Sequence, residues 1–283
     1  MHHKKFMIRC DIEGVSGVVS YAQAEPGQAE YEFGLRMFRS DLCACIDGLL
    51  AGGRTEEIVI YDEHFYGRNI DPSWLPEQVS CICGKPPYRP NWAGGLDAGF
   101  SGLVMLGFHS KYGTPGGLLH HSYESDIRDL CLNGVSVGEI GMETAIAGDY
   151  GVPLLLVTAD SAGCHEAEAL IPGVRTVAVK KSLGETGGQC YPLSLTSAWI
   201  RQTAQEVAME TPAVQPWRLC APVTLEIAFN PGPYADTIRQ ACAAEINAQG
   251  NLVLTGGTAT AVWAEYWQRK LHCQQLLRKA LSL

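Results

Sequence analysis

The sequence predicts an α/β fold: a largely parallel sheet with flanking helices, plus a smaller C-terminal α+β part. Short apolar runs rich in Val, Ile and Leu alternate with longer segments in which apolar residues recur every three or four positions. Such runs are typical of strands covered on both faces, and such segments are typical of amphipathic helices. After about residue 221, strand-like segments gather around the turn sequence NPGP. We therefore predict an α/β domain over residues 1–221 and a smaller α+β domain over residues 222–283.

Four strands and two helices are predicted in the first domain. The order strand, helix, strand, strand, helix, strand is typical of a parallel sheet. A helix is predicted over residues 29–53, ending at the glycine pair GG, and a second over residues 136–153, ended by the sequence GVP. The predicted strands are Phe6–Cys10, Ile58–Tyr61, Leu103–Phe108 and Leu154–Thr158.

The second domain is predicted from a weaker pattern. The segments PVTLEIAF and LVLTGGTATAV have the composition of strands, and DTIRQACAAEI between them is predicted to be a helix. A final amphipathic helix is predicted over AEYWQRKLHCQQLLRKAL, and residues 194–209 form a predicted helical connector.

Composition excludes several classes of function. The chain of 283 residues has a formal charge of −9 and no long basic cluster, which excludes an extended nucleic-acid interface. No apolar run is long enough to cross a bilayer, and the start lacks the features of a signal peptide, so we expect a cytoplasmic protein with no membrane partner. The 11 cysteines are odd in number and lack the spacing of structural zinc sites, so we interpret them as free thiols.

Every predicted strand of the first domain is followed within two residues by an acid or a histidine. Because ligands bind at the carboxyl edge of parallel sheets, we expect these side chains to converge. Carboxylates and imidazoles suit zinc or manganese, and one carboxylate can bridge two ions about 3.5 Å apart. The side chains are Asp11 and Glu13 after the first strand, Asp62 and His64 after the second, His109 after the third and Asp160 after the fourth.

Each of these residues also has an ordinary structural interpretation. Two acids spaced like Asp11 and Glu13 are often solvated, and a single histidine is more often a core or surface residue than a ligand. Glu139 opens a predicted helix, where a carboxylate is stabilised by the helix dipole whether or not it binds metal. We interpret Asp160 as the cap of the following helix. The glycine-rich loop with His120 and His121 is either a surface loop or a source of an acid–base group.

The ordered set of motifs DIEG, YDEH, LGFH, TPGG…HHSY and NGVSVGEIG resembles the zinc-dependent D-aminopeptidase family associated with bacterial dipeptide-transport operons. The similarity extends through DYGVPLLLV, EAEALIPGV, LEIAFNPG and TGGTAT, and so over most of the chain. The resemblance implies a hydrolase with two zinc ions per subunit that removes the amino-terminal D-residue from short peptides, with D-Ala-D-Ala as the model substrate. It also implies a ring-like homo-oligomer.

The resemblance also implies a set of site residues. Its metal ligands fall on Asp11, Glu13, His64, His109 and Glu139, with Asp11 as the bridging ligand. The family's catalytic histidine precedes a serine, which matches His121, whereas alignment forward from the sequence TPG gives His120. We take His121, because this choice also preserves the distance along the chain to the glutamate ligand.

The chain departs from the family pattern SxDxEG at Arg9, which stands where the serine is usual. A guanidinium so near would compete with a metal unless it pairs with an outer carboxylate such as Asp62 or Asp160.

Two other functions fit the same ligand types. One is a two-metal phosphoesterase, although the chain has no P-loop and the pair Lys180–Lys181 is interpreted as a solvated face. The other is a metal-dependent protein that binds peptides without cleaving them.

Overall fold

The computed structural model describes residues 3–210 and 213–281. Its strands are β1 (Lys4–Cys10), β2 (Thr55–Asp62), β3 (Val79–Ile82), β4 (Gly102–Phe108), β5 (Ile127–Leu132), β6 (Val135–Val137), β7 (Leu154–Asp160), β8 (Arg175–Gly184), β9 (Gly187–Cys190), β10 (Val223–Phe229) and β11 (Leu252–Gly256). Its helices are α1 (Tyr21–Ala24), α2 (Tyr31–Ala51), α3 (Glu139–Asp149), α4 (Ser161–Leu170), α5 (Leu193–Glu210), α6 (Pro233–Ala241) and α7 (Ala259–Leu281).

A seven-stranded sheet in the order β3-β2-β1-β4-β7-β8-β9 forms the centre of the molecule. All its neighbouring strands are parallel except β8 and β9, which are antiparallel. The four predicted strands correspond to β2, β1, β4 and β7, which lie side by side, and β4 and β7 are buried along their whole length. The predicted α/β class with a largely parallel sheet is therefore confirmed.

The strand order reverses direction beside β1. From β1 the chain passes through α2 to β2 and then to β3 on one side, whereas β4 lies on the other side of β1. A crevice opens at such a reversal, at the carboxyl ends of the strands, because the connections leave the two neighbouring strands in opposite directions. The topology therefore directs the residues that follow β1, β2 and β4 toward one place.

The second sheet is four-stranded, antiparallel and ordered β11-β10-β5-β6. The segments predicted after residue 221 supply β10, α6, β11 and α7, but the hairpin of β5 and β6 comes from the earlier part of the chain. The sequence analysis missed this hairpin although its turn is Asn133–Gly134, a pair typical of two-residue hairpins, and both residues have positive φ. The boundary at residue 221 stays a prediction, and this sheet has strands from both sides of it.

Several element boundaries differ from their predictions. The helix predicted from residue 136 begins at Glu139, because residues 135–137 pair with β5. The last strand-like segment divides into β11 and the start of α7. Within residues 3–210 and 213–281, no helix combines the length and the apolar character that crossing a bilayer would require.

Candidate metal centre

The loop that follows β1 is held against β4. The backbone N–H of Asp11 donates to the carbonyl of Leu106 at 2.9 Å, and that of Gly14 donates to the carbonyl of Gly107 at 2.7 Å. A Cβ atom at Gly14 would lie only 1.7 Å from the carbonyl oxygen of Phe108, so no larger residue fits there. This close approach brings the carboxylates of the first loop to the edge where His109 leaves β4.

One group of candidate ligands consists of Asp11, Glu13 and His64, all buried. The Nδ1 atom of His64 lies 2.7 Å from Asp11 Oδ1 and 3.1 Å from Glu13 Oε2. The Nε2 atom of the same ring lies 2.7 Å from the carbonyl oxygen of Ala24. A proton on Nε2 satisfies that carbonyl, and Nδ1 then presents its lone pair to the two carboxylates, as metal-binding histidines do.

The second group consists of His109, His121 and Glu139. His109 Nε2 lies 3.3 Å from Glu139 Oε1 and 3.4 Å from Asp11 Oδ2, while its Nδ1 faces the carbonyl oxygen of Ser110 at 3.0 Å. The rings of His109 and His121 stack at 3.9 Å with an angle of 13° between their planes. The two groups adjoin through Asp11, whose carboxylate oxygens face different histidines.

The carboxylates of the cluster favour a positive charge at two histidines, His64 and His109. Burial alone would lower the pKa of His64, but Glu13 and Asp11 outweigh it and raise that pKa well above its usual value. His109 behaves alike: burial lowers its pKa, and Glu139 and Asp11 raise it well above the usual value. Burial would raise the pKa of Asp11, and the two histidines instead lower it well below the usual range.

The residues fit a divalent metal. Glu13 Oε2 and His109 Nε2 are buried and lack a well-formed hydrogen bond within the described residues. Buried polar atoms normally have partners, so atoms left without one in a cluster of carboxylates and imidazoles indicate ligands for a cation. Nitrogen and oxygen donors without a thiolate suit zinc, as the sequence analysis expected.

The two histidines of the glycine-rich loop point to different places. His121 lines the cavity that contains Asp11 and Glu139, and its Nε2 lies 3.7 Å from Glu139 Oε1. His120 lines a separate pocket, where Nδ1 accepts from the N–H of Gly113 at 3.0 Å and Nε2 faces Glu185 at 3.3 Å. The structure thus places His121, and not His120, beside the candidate ligands.

Arg9 pairs with two outer carboxylates, which are different from the two examples named from the sequence. Its guanidinium is fully buried and pairs with Glu63 and Glu143, and it also donates to the carbonyl of Ala93 at 2.7 Å. The expected outer carboxylates are therefore present, but they are not the examples Asp62 and Asp160, because both of these accept bonds from elsewhere. Asp62 accepts from the backbone and side chain of Asn69, and Asp160 caps α4 by accepting from the N–H of Gly163, as predicted.

Sequence reasoning missed a chain of contacts from Arg9 to the candidate metal centre. Tyr123 donates its hydroxyl to Glu143 at 2.7 Å and its backbone N–H to Glu139 Oε1 at 2.7 Å. Glu143 stands four residues after Glu139 on α3, where the two side chains project from the same helix face. That spacing was the available signal for a second functional acid on this helix.

Lys180 was also misinterpreted. It is fully buried, and its ammonium donates to the carbonyl oxygens of Glu13, Val15 and Val18 at 2.5, 2.8 and 2.5 Å. The interpretation as a solvated face holds only for its neighbour Lys181, which is exposed. Lys180 binds the loop that carries two candidate ligands, and a single lysine in a strand gave no sign of this in the sequence.

The α/β fold and two adjoining groups of carboxylates and imidazoles at its sheet edge together define a metal-dependent enzyme. Comparison with known proteins then narrows the class. The family model described as D-aminopeptidase matches residues 4–264, and the chain belongs to this family of peptide hydrolases.

Two further comparisons agree with this assignment. A D-aminopeptidase from Bacillus subtilis (strain 168) is 31% identical over 220 residues, which cover 75% of this chain and 79% of the relative. A solved structure, the Zn-dependent D-aminopeptidase DppA from Bacillus subtilis, described as a self-compartmentalizing protease, matches with a TM-score of 0.87 and 26% identity. That match covers 96% of this chain and 97% of the other.

Proposed function

We propose that this protein uses two zinc ions per subunit to remove the amino-terminal D-residue from short peptides, with D-Ala-D-Ala as the model substrate. The observation that carries the proposal is the position of Asp11, whose Oδ1 faces His64 at 2.7 Å and whose Oδ2 faces His109 at 3.4 Å. A carboxylate in this position can bridge two ions. The zinc dependence of the similar DppA supports zinc as the metal.

Each ion would have its own ligands beside the shared Asp11. Glu13 and His64 would hold one, and His109 and Glu139 the other. When bound, the ions lower the pKa of a water molecule and polarise the scissile carbonyl. The chain orients its ligands through backbone contacts, because Ala24 fixes the ring of His64 and Tyr123 fixes the carboxylate of Glu139.

His121 is the residue proposed to move the proton. Its Nδ1 lies 3.0 Å from the carbonyl oxygen of Leu119, so a proton on Nδ1 satisfies that carbonyl and leaves Nε2 free to accept another. The side chain is 20% exposed and lines the cavity, whereas Glu139 beside it is nearly buried. A histidine with one free nitrogen at a solvent-accessible site is suited to general acid–base catalysis.

The cavity limits the size of the substrate. It has a volume of about 780 Å³, and its lining includes Asp11, His121 and Tyr123 as well as residues of α7. This volume is within the usual range of small-molecule sites, about 300–1,000 Å³, and accommodates a peptide of a few residues.

Metal removal tests the proposal directly. We expect a chelator to abolish hydrolysis of D-Ala-D-Ala and added zinc to restore it, and we expect L-Ala-L-Ala to be a poor substrate. Full activity after removal of zinc, confirmed by metal analysis, would contradict the proposal. Hydrolysis of nitrophenyl phosphate but not of D-peptides would favour a phosphoesterase, and binding of the dipeptide without turnover would favour a peptide-binding protein.

Variants separate the roles of the residues. Asp11→Asn should lose both metal ions, since its oxygens face both groups, and His64→Ala should weaken one ion more than the other. His121→Ala should retain both metals and lose activity about 100- to 10,000-fold, the usual contribution of a general acid or base. His120→Ala is the matched control and should retain full activity. Equal losses in the two histidine variants would remove His121 from its proposed role.

The proposal includes a ring-like homo-oligomer, supported by the description of DppA as a self-compartmentalizing protease. Light scattering of the purified protein should give a mass several times the 30.6 kDa of one chain. A monomeric mass with full activity would contradict this part of the proposal.

A further inference from the structure

The cavity beside the candidate metal centre also contains cationic side chains that the candidate metal ligands do not need. Lys85, Lys270 and Arg278 line the same cavity as Asp11 and His121, and the acids Glu63 and Glu124 line it as well. Cationic side chains in a recessed site raise the local concentration of anions and give an anionic group a favourable position. An anionic part of the substrate is therefore the expected ligand of these cationic side chains.

The ammonium of Lys85 has hydrogen-bond donors left for a ligand. Its ammonium donates to the backbone carbonyl oxygen of Glu63, and the carboxylate of that residue is already paired with Arg9. Within residues 3–210 and 213–281, no carboxylate lies close enough to Lys85 to form an ion pair, although the charge of Lys85 opposes the rise that burial causes in the pKa of Glu63. An ammonium has three N–H donors, so two donors of Lys85 remain available.

The position of Lys85 is tied to that of His64. The N–H of Gly84 donates to the carbonyl of Gly67 at 2.6 Å, which joins the loop after β3 to the turn after β2. Gly67 has a φ of +62°, and a Cβ there would lie 2.9 Å from the carbonyl oxygen of Asp62 and 3.0 Å from the nitrogen of Gly84. Only glycine permits this contact, and it keeps Lys85 in a fixed relation to the candidate metal ligand.

Lys270 gives the same cavity a second cation close to Lys85. Its ammonium lies 4.4 Å from the ring centroid of Trp267 and contacts Glu124. Burial lowers the pKa of Lys270, Glu124 opposes the change, and the charge of Lys85 adds to it, so the two ammonium groups are electrostatic neighbours. Lys270 lies on α7 after residue 264, where the match to the family model ends.

We propose that Lys85, with Lys270 beside it, binds the carboxy-terminal carboxylate of the peptide whose first residue is removed at the metal centre. The inference rests on the proposed function and adds a substrate class to it: peptides of very few residues with a free carboxyl terminus. In an extended peptide, each added residue moves the carboxy-terminal carboxylate about 3.5 Å further from the first residue. In longer peptides this carboxylate therefore lies beyond the two lysines.

A comparison of two substrates tests this subsite. The KM and kcat of the zinc-loaded full chain are measured with D-Ala-D-Ala and with its carboxy-terminal amide, which lacks only the charge. We expect the amide to have a KM about tenfold higher and a similar kcat, since one charge-assisted hydrogen bond is lost equally from the ground and transition states. For the free acid alone, KM should rise with added salt.

Variants test whether Lys85 is the residue that recognises the carboxy-terminal carboxylate. Lys85→Gln should raise the KM for the free acid about tenfold and leave the KM for the amide unchanged. The preference for the free acid over the amide should then disappear. Lys85→Arg, which keeps a cation, should retain most of the preference, and the exposed Lys181→Gln is the matched control and should retain all of it.

The outcomes separate this inference from the function on which it rests. Hydrolysis of both substrates with equal KM would contradict the proposed subsite but not the proposed function. The same holds if Lys85→Gln keeps the full preference for the free acid over the amide. The salt dependence is measured on the unmodified chain, so a variant that fails to fold does not prevent the test. If the zinc-loaded protein hydrolyses neither D-peptide, the proposed function itself fails.

Discussion

Replacement of Arg9 by serine should destabilise this chain strongly. The guanidinium is fully buried and contacts the carboxylates of Glu63 and Glu143, which are 6% and 0% exposed. Arg9→Ser leaves both carboxylates buried without that cation. Removing one partner of a buried ion pair usually costs about 3–5 kcal/mol, and two stranded acids place the expected loss in the upper half of that range.

The loss should depend on pH in a defined direction. Burial raises the pKa of Glu63, and Arg9 opposes the increase, so the folded-state pKa should rise further in Arg9→Ser. An acid whose pKa is higher in the folded than in the unfolded state contributes stability at low pH that is lost as pH rises. The variant should therefore lose more unfolding free energy at pH 8 than at pH 5.

Urea unfolding of the zinc-loaded proteins measures this difference. Glu143→Gln in the Arg9→Ser background removes one stranded charge with little change of shape, and should recover part of the loss. A loss below about 1 kcal/mol at pH 8, or one that is equal at both pH values, would refute the assignment of Arg9 as the necessary partner of these acids.

Three further substitutions have defined outcomes. Gly14→Ala should prevent metal binding and reduce the yield of folded protein, because its Cβ would meet the carbonyl of Phe108 at 1.7 Å; normal zinc content would contradict the close approach. Lys180→Met should cost about 3 kcal/mol or more in urea unfolding, since three carbonyl oxygens of the first loop lose a charged donor. Burial raises the pKa of Asp41 from 3.8 to about 6, against the opposing bonds from Ser16. The contribution of Asp41 to stability is fully present below pH 3.8 and is lost as pH rises through 6. The free energy of unfolding of Asp41→Asn should therefore increase relative to that of the parent by up to about 3 kcal/mol between these pH values. A difference between the two proteins that does not change with pH would exclude the raised pKa.

The sequence was sufficient to predict the part of the site that follows from sheet topology. The runs before Asp11, His64 and His109 are apolar and continuous enough to be recognised as buried strands, and parallel strands direct their carboxyl ends to one edge. The structure places these three residues together, as that reasoning expected. Their roles as metal ligands remain a proposal.

The contacts that support the site could not be predicted in the same way. Arg9 meets Glu143 across more than a hundred residues, and Lys180 reaches the first loop from β8, so no local pattern links the partners. A buried lysine or arginine is also uncommon, and a sequence alone favours the solvated interpretation. The hairpin of β5 and β6 was different, because its Asn133–Gly134 turn was visible and was not used.

The strand order explains why Asp11 is the residue that faces both histidines. In the register of the sheet, Cys10 of β1 pairs with Asp62 of β2 on one side and with Leu106 of β4 on the other. The next residue therefore leaves the sheet between the ends of β2 and β4, from which His64 and His109 depart. A carboxylate from either outer strand would reach only one of these histidines, whereas one from the central strand reaches both. The position for a bridging ligand is thus a consequence of strand pairing. A loop substitution that preserves this register should also preserve the position of Asp11 between the two histidines.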